Sequence, residues 1–359
     1  MKQYLNTKPR SDKDSYQPLD EMDFKIKIPD GYEFIVGSLE LAGRLYYYRD
    51  STTNTPLNVG DQVFFDHYAG AHNFIDYIES KLTNFGVIES NFFEYSRAIK
   101  MQALASTTSD ELANDSKYTR ELRCGGDDQS TQVLRGSGAS VPFSVRLQCA
   151  LNKANRNFGA DDVGDIEMNL RLKSHLRACY GTDNVALANA SYSIRNLTLT
   201  YAVQPKTASG ELVFEIMTMN QQPVNSQLTF MELDLPIPTE SVSCTLATQA
   251  EINANSMAVH DPNVEEIEWL FNDQNGRLFS FRLDNREEII ANYKRSLSSS
   301  PIDDLRATDV SSNWGIGLNF LNVMPKGTKI GLNLKCDADA GAGRTYQMFC
   351  FYKGSLRLK

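Results

Sequence analysis

Runs in which apolar and polar side chains alternate restrict this chain more than any other feature. Residues 165–172 read Asp-Ile-Glu-Met-Asn-Leu-Arg-Leu, with Ile166, Met168, Leu170 and Leu172 at one parity and Glu167, Asn169 and Arg171 at the other. An extended chain sends successive side chains to opposite faces, so this segment makes a strand with one dry face and one wet face. Val141, Phe143, Val145 and Leu147 alternate in the same way with Ser144 and Arg146, as do Leu39, Leu41, Leu45 and Tyr47 within the run from Tyr32 to Tyr48. Residues 190–203 begin with Tyr192 and Ile194 inward and continue with Leu197, Leu199, Tyr201 and Val203. A change of phase inside one strand predicts a bulge near Arg195–Asn196.

Helical spacing is rare. Phe74, Ile75, Ile78 and Leu82 fall on one helical stripe and predict a helix over about 71–82. Ile289, Ile290, Tyr293 and Leu297 repeat those spacings and predict a second helix over about 286–297. The other segments are short strands between turns rich in Asn, Asp, Gly and Ser, the profile of antiparallel sandwiches rather than of alternating β-α units. The length of 359 residues suits two domains, and no short period marks a solenoid or propeller.

A weaker, long repeat divides the chain. VPFSVRL (141–147), GDIEMNLRL (164–172) and SYSIRNLTLTYAV (191–203) are echoed by WGIGLNFL (314–321), GTKIGLNLK (327–335) and TYQMFCFYKGSLRLK (345–359). Each set has an alternating strand, a second one opened by Gly, and a closing strand opened by Tyr. Upstream, the run Tyr32–Tyr48 with Pro56 and Val63 is matched to Leu228–Leu235 with Pro238 and Val242. The expected layout is a polar flexible arm over 1–23 and two similar β-domains of about eight strands each, over 24–205 and 206–359. Two readings of the arm stay open: a disordered terminus, or an arm that orders against a neighbouring subunit.

Charge and composition narrow the partners. Lys and Arg number 36 against 45 Asp and Glu, a net charge of −9, and no basic run reaches five residues. A protein that grips phosphates needs a basic stripe, so no direct sequence-specific nucleic-acid binding is expected. No window of 18 apolar residues exists to span a bilayer, and the first twenty residues lack the apolar core of a secretory leader. Cysteines stand at 124, 149, 179, 244, 336 and 350 with no CxxC pair, which points to reduced thiols made in a cytosol.

No motif in the chain carries catalysis. There is no GxSxG, P-loop or GxGxxG, and no catalytic, cofactor-binding or metal-binding residue is expected. His67 and His72, with Asp66 beside them, are five apart, which fits neither HExxH nor one helix face; His175 and His260 are isolated. The acidic groups Asp127–Asp128, Asp161–Asp162, Glu265–Glu266–Glu268 and Glu287–Glu288 read as solvated faces or helix starts, because adjacent strand residues point apart. Cys149 and Cys179 read as small core residues. GSGAS (136–140) and DAGAGR (339–344) precede strands, so neither has the helix N-terminus of a phosphate cradle. Asn189 and Asn196 match glycosylation acceptors, yet lie in or beside a strand. Tyr46, Tyr47 and Tyr48 read as packing residues rather than a platform for sugars.

The order of these segments carries a family resemblance. A polar arm, IPDGYEFIVGSLELAGRLYYY (28–48), VFFDHYAGAHNFIDYI (63–78), SVPFSVRL and GDIEMNLRL, then ASYSIRNLTLTYAV (190–203), resembles the double jelly-roll major capsid proteins of the adenovirus–tectivirus lineage, most like virophage and polinton-like virus members. The likeness covers 28–203; strand order and the Tyr-initiated last strand extend it through the second half. It implies an all-β chain of two consecutive eight-stranded jelly rolls with a few short helices in loops. It also implies a non-enzymatic shell subunit: a homotrimer whose six rolls fill a pseudo-hexagonal position around a DNA genome. The implied partners are copies of itself, penton and minor capsid or cement proteins, and an internal membrane or membrane protein beneath the shell. The implied location is the virion, after synthesis in the host cytoplasm. The contrasting reading is a secreted two-roll carbohydrate-binding protein or glycan amidase; the enzyme requires convergent acids on facing strands, and a secreted protein a signal sequence and disulfides.

Overall fold

The computed structural model describes residues 1–56, 62–63, 69–106, 134–135, 140–178, 190–224, 228–254, 257–261, 263–272, 278–297, 314–336 and 345–358. The chain divides into two compact units, mainly 1–216 and mainly 217–355, so the division lies between Ile216 and Met217 rather than at 205/206. In order, the first unit holds β1 (Gln3–Thr7), β2 (Ser15–Tyr16), β3 (Glu21–Ile26), β4 (Tyr32–Phe34), β5 (Glu40–Asp50), β6 (Thr55–Pro56) and β7 (Gln62–Val63). It continues with β8 (Ile75–Leu82), β9 (Gly86–Phe92), helix α1 (Tyr95–Ser106), β10 (Leu134–Arg135), β11 (Ser140–Arg146), β12 (Phe158–Gly159), β13 (Ile166–Leu172) and β14 (Ser191–Pro205). Next come β15 (Leu212–Val224), β16 (Leu228–Asp234), β17 (Thr239–Thr248), β18 (Glu266–Asn272), β19 (Leu278–Leu283), helix α2 (Arg286–Leu297), β20 (Ile316–Met324), β21 (Lys329–Lys335) and β22 (Tyr346–Leu358).

Each unit is a jelly roll. In the second, the sheets run β15-β22-β17-β20 and β16-β21-β18-β19. Of eight strands, the first, last, third and sixth therefore share one sheet, and the second, seventh, fourth and fifth the other. In the first unit the same interleaving appears as β1-β14-β5-β11 and β3-β13-β8-β9, with β2, β4, β6 and β12 added at the margins of the first sheet. In both units a 12-residue helix follows the fifth strand. The alternation read from the sequence sets the inward faces: Ile166, Met168, Leu170 and Leu172 are buried, and Glu167, Asn169 and Arg171 face outward. In the second roll Trp269, Leu332, Met348 and Val242 meet in one core drawn from both sheets. The predicted bulge is present, with the register of β14 against β5 shifting between Arg195 and Thr198 and Asn196 at a φ of +53°.

Four expectations are corrected. Residues 71–82 are not a helix: a 3-10 turn, Gly70–Phe74, runs into β8. Ser80 takes an inward position of β8 beside Ile78 and Leu82, and the register against β13 shifts where Leu172 faces Ile75 and Arg171 faces Tyr77, so a buried polar residue and a bulge hide its period of two. Residues 1–23 are not a free arm: β1 pairs with β14 from Gln3↔Val203 to Thr7↔Leu199, and Glu21 already belongs to β3. As an edge strand with one wet face, β1 has no need of an apolar sequence. Topology also matches Leu228–Asp234 to β3, and β5 to β17, one strand away from the match drawn on the sequence. The domain boundary moves as well: the division at Ile216/Met217 falls within β15, the strand that opens the second roll.

The second predicted helix stands as expected at Arg286–Leu297. Asn285 starts it, its side chain accepting the Glu287 amide at 2.9 Å, with Glu287–Glu288 in the first turn and Lys294–Arg295 in the last, each charge suited to its end of the helix dipole. Helix α2 lies on small residues of the sheet. Ser241 Oγ donates to the Ser296 carbonyl at 2.8 Å, and a Cβ at Gly315 or Gly317 would collide with Tyr293 or Ser296. That cover explains why β17 is buried on both faces.

Candidate assembly surfaces

The residues weighed for chemistry are dispersed. His72 is buried in the 3-10 turn with Nδ1 at 3.0 Å from the Tyr95 hydroxyl. His67 and Asp66 lie outside the described residues. His175 opens a short turn, where burial depresses its pKa. His260 Nδ1 is 2.7 Å from Glu251 and its ring is 5.1 Å from that of Tyr346. Among the described residues, no three His, Cys, Asp or Glu side chains gather as a metal-binding group.

The acidic groups are taken up by partners. Asp162 closes a turn on the Gly159 amide at 2.8 Å and pairs with Arg156, and Lys206 bridges Asp161 and Asp162. Glu265 pairs with Lys335, Glu266 with Arg282, and Glu268 accepts from Asn333. Asp127–Asp128 lie outside the described residues, as do Cys124, Cys179, Asn189, 136–139 of the first Gly-rich loop and all of the second.

Tyr47 and Tyr48 are buried. Tyr48 shares a hydrogen bond of 2.9 Å with Ser193, and Tyr46 lies under the Arg195 guanidinium at 4.4 Å. Cys149, Cys244, Cys336 and Cys350 are buried free thiols. Burial, with Glu89 nearby, pushes Cys149 up to about 12; burial, with Asp261 nearby, does the same for Cys336.

One buried carboxylate had no signal in the sequence. Glu33 on β4 is fully buried and accepts from Gln204 Nε2 (2.8 Å), Asn157 Nδ2 (3.1 Å), the Ala208 amide (2.8 Å) and the Thr207 amide (3.1 Å). Burial alone would raise its pKa; the donors, led by the Ala208 amide, outweigh it and hold the group at about 2. It fastens residues 204–208, the stretch that leads into β15, to the first roll.

The broad features are sheet faces. In the first roll, the outward face of β3-β13-β8-β9 is charged and internally paired. Arg10 reaches Glu167 at 2.7 Å, Lys25 pairs with Asp165, Asn169 donates to Asp23 at 2.7 Å, and Arg171 binds Asp76 at 2.7 Å. The corresponding face of the second roll carries Leu228 and Phe230 on β16, Leu270 on β18 and Leu278 on β19, with Leu228, Phe230 and Leu278 exposed by 70%, 62% and 67%.

Comparison with solved structures follows this geometry. Over 100% of its length the chain superposes on the Faustovirus major capsid protein at a TM-score of 0.63 and 9% identity, covering 90% of that chain. The mavirus major capsid protein aligns over 99% of this chain and 90% of its own (TM-score 0.54, 10% identity), and the Sputnik virophage structure over 99% and 86% (TM-score 0.53, 8% identity). The chain has the double jelly-roll fold. It extends from end to end, in a strand order that the topology gives independently. No protein-family model matches the chain, and no curated protein sequence does.

Proposed function

We propose that the chain is a viral major capsid protein, a non-enzymatic subunit that assembles as a homotrimer into pseudo-hexameric capsomers of an icosahedral shell around a DNA genome. The observation that carries this reading is the presence of two complete jelly rolls in one chain, aligned over nearly the full length of three viral capsid structures. Three such chains present six similar rolls, which lets one gene product fill a six-fold lattice position with closed three-fold symmetry. The polar groups of the fold support a structural role: buried carboxylates such as Glu33 and Asp76 are consumed by hydrogen bonds and ion pairs within their own roll. Pentons, minor capsid or cement proteins and an underlying membrane are further partners of this reading, and the virion its location. Light scattering coupled to gel filtration tests it. A particle of three 40.3-kDa chains is expected, and a monomer at all concentrations up to tens of micromolar contradicts the reading.

A further inference from the structure

The outward face of β16-β21-β18-β19 carries a continuous apolar band. Phe230 lies across Gly331, where an added Cβ would be 3.0 Å from its ring and 3.1 Å from Leu270 Cβ. Leu270 stands opposite Ser280, so Leu278, two residues from Ser280 on the same face, is its diagonal neighbour. Leu228 precedes Phe230 by two and shares its face. The band therefore crosses all four strands, from Leu228 and Phe230 over Gly331 to Leu270 and Leu278.

We infer that this band is a contact between copies of the chain, and that the matching face of the first roll is not. The inference rests on the capsid reading and specifies its surface. Three observations favour a second copy as the occupant. The first is the contrast within one chain: two rolls of the same topology differ on the same face, one laced by Arg10–Glu167, Lys25–Asp165 and Asn169–Asp23, the other apolar across its middle. Solvent alone gives no reason for the difference. The second is area. Leu228, Phe230 and Leu278, about two-thirds uncovered, expose on the order of 350 Å² together, near half of the ~800 Å² that each partner contributes to a stable interface. The third is the rim. Lys329–Glu232, Arg282–Glu266 and Lys335–Glu265 are paired within the chain, so a like surface meets neutralised charge around a dry centre.

The test compares wild type with a Phe230→Glu, Leu278→Glu double variant and with an Asn169→Lys control on the charged face of the first roll. All positions are on outward faces, and circular dichroism with the urea midpoint verifies that each protein folds. The wild type and the control are expected to be trimers, and the double variant to associate at least roughly 100-fold more weakly, because each carboxylate would be buried unpaired. Concentration-dependent deuterium exchange on the wild type supplies a second readout: amides of 228–234 and 278–283 gain protection as the trimer forms. A double variant that trimerises like wild type overturns the surface and leaves the capsid reading standing. A wild type that never associates overturns the capsid reading itself. Protection of these amides that does not change with concentration means that the face is covered by the chain's own residues, such as 298–313, and also overturns the inference.

Discussion

Replacing Glu33 by Gln removes one charge from the most heavily hydrogen-bonded carboxylate described here. Two backbone amides, Thr207 and Ala208, and two side-chain amides, Asn157 and Gln204, all donate to it. An amide side chain offers one acceptor and one donor end, so in either orientation its NH₂ faces other donors. Each donor left without an acceptor costs about 1–3 kcal/mol. Proton linkage gives a similar figure: the drop from the ordinary 4.5 to about 2, at ~1.36 kcal/mol per pH unit, is worth about 3 kcal/mol, and water around residues 204–208 screens this to about 2. The folded value lies below the unfolded one, so this stability is present in full above about pH 5 and disappears as the pH falls through about 2. Urea unfolding of the first roll should therefore show Glu33→Gln less stable by about 2–3 kcal/mol at pH 7, with the gap to wild type closing between pH 5 and 2. Equal midpoints at pH 7, or a gap unchanged by acid, would mean that the Glu33 charge does not hold residues 204–208 in place.

Three further outcomes follow from the packing. Gly317→Ala would put a Cβ 2.0 Å from Ser296 Oγ and 3.0 Å from the Tyr293 Cα, lifting α2 from the sheet at a cost of about 1–3 kcal/mol or more in the unfolding midpoint of the second roll; an unchanged midpoint would contradict that contact. Deleting residues 1–7 removes the first strand of the first roll, not an appendage, so stability should fall by roughly 2–5 kcal/mol and the bared β14 edge should promote aggregation; an equally stable, soluble truncation would argue against β1 as part of the sheet. With Cys124→Ser and Cys179→Ser in place, the four buried thiols should react with Ellman's reagent only after denaturation; rapid native labelling at pH 8 would show that these cores open readily.

The sequence was most readable where a strand has one dry and one wet face. β11, β13 and β14 show their alternation openly, and the phase change at Arg195–Asn196 marks a real bulge. Helix α2 was visible because Ile289 and Tyr293 are buried on one stripe of it, with Tyr293 lying over Gly315. Other elements were hidden by what their neighbours supply. On β8 the inward Ser80 is satisfied by Glu89 and the register shifts between Ile75 and Tyr77, so the remaining apolar residues matched a helix by chance. α2 covers Ser241 and Ser243, so β17 is buried without alternation or bulk. β1 is an edge strand whose polar sequence resembles a free terminus until β14 is there to pair with it. The Glu33 donors come from 124 to 175 residues downstream, beyond any local pattern. Leu228, Phe230, Leu270 and Leu278 each look like an isolated apolar residue, and only strand register assembles them into a band.

Electron microscopy of the purified protein, imaged as it is concentrated, tests the trimeric capsomer. Particles of three chains with a six-lobed outline, one lobe per roll, that pack into hexagonal arrays or closed shells are expected. Single two-lobed particles that neither form trimers nor tile at any concentration would contradict that assembly.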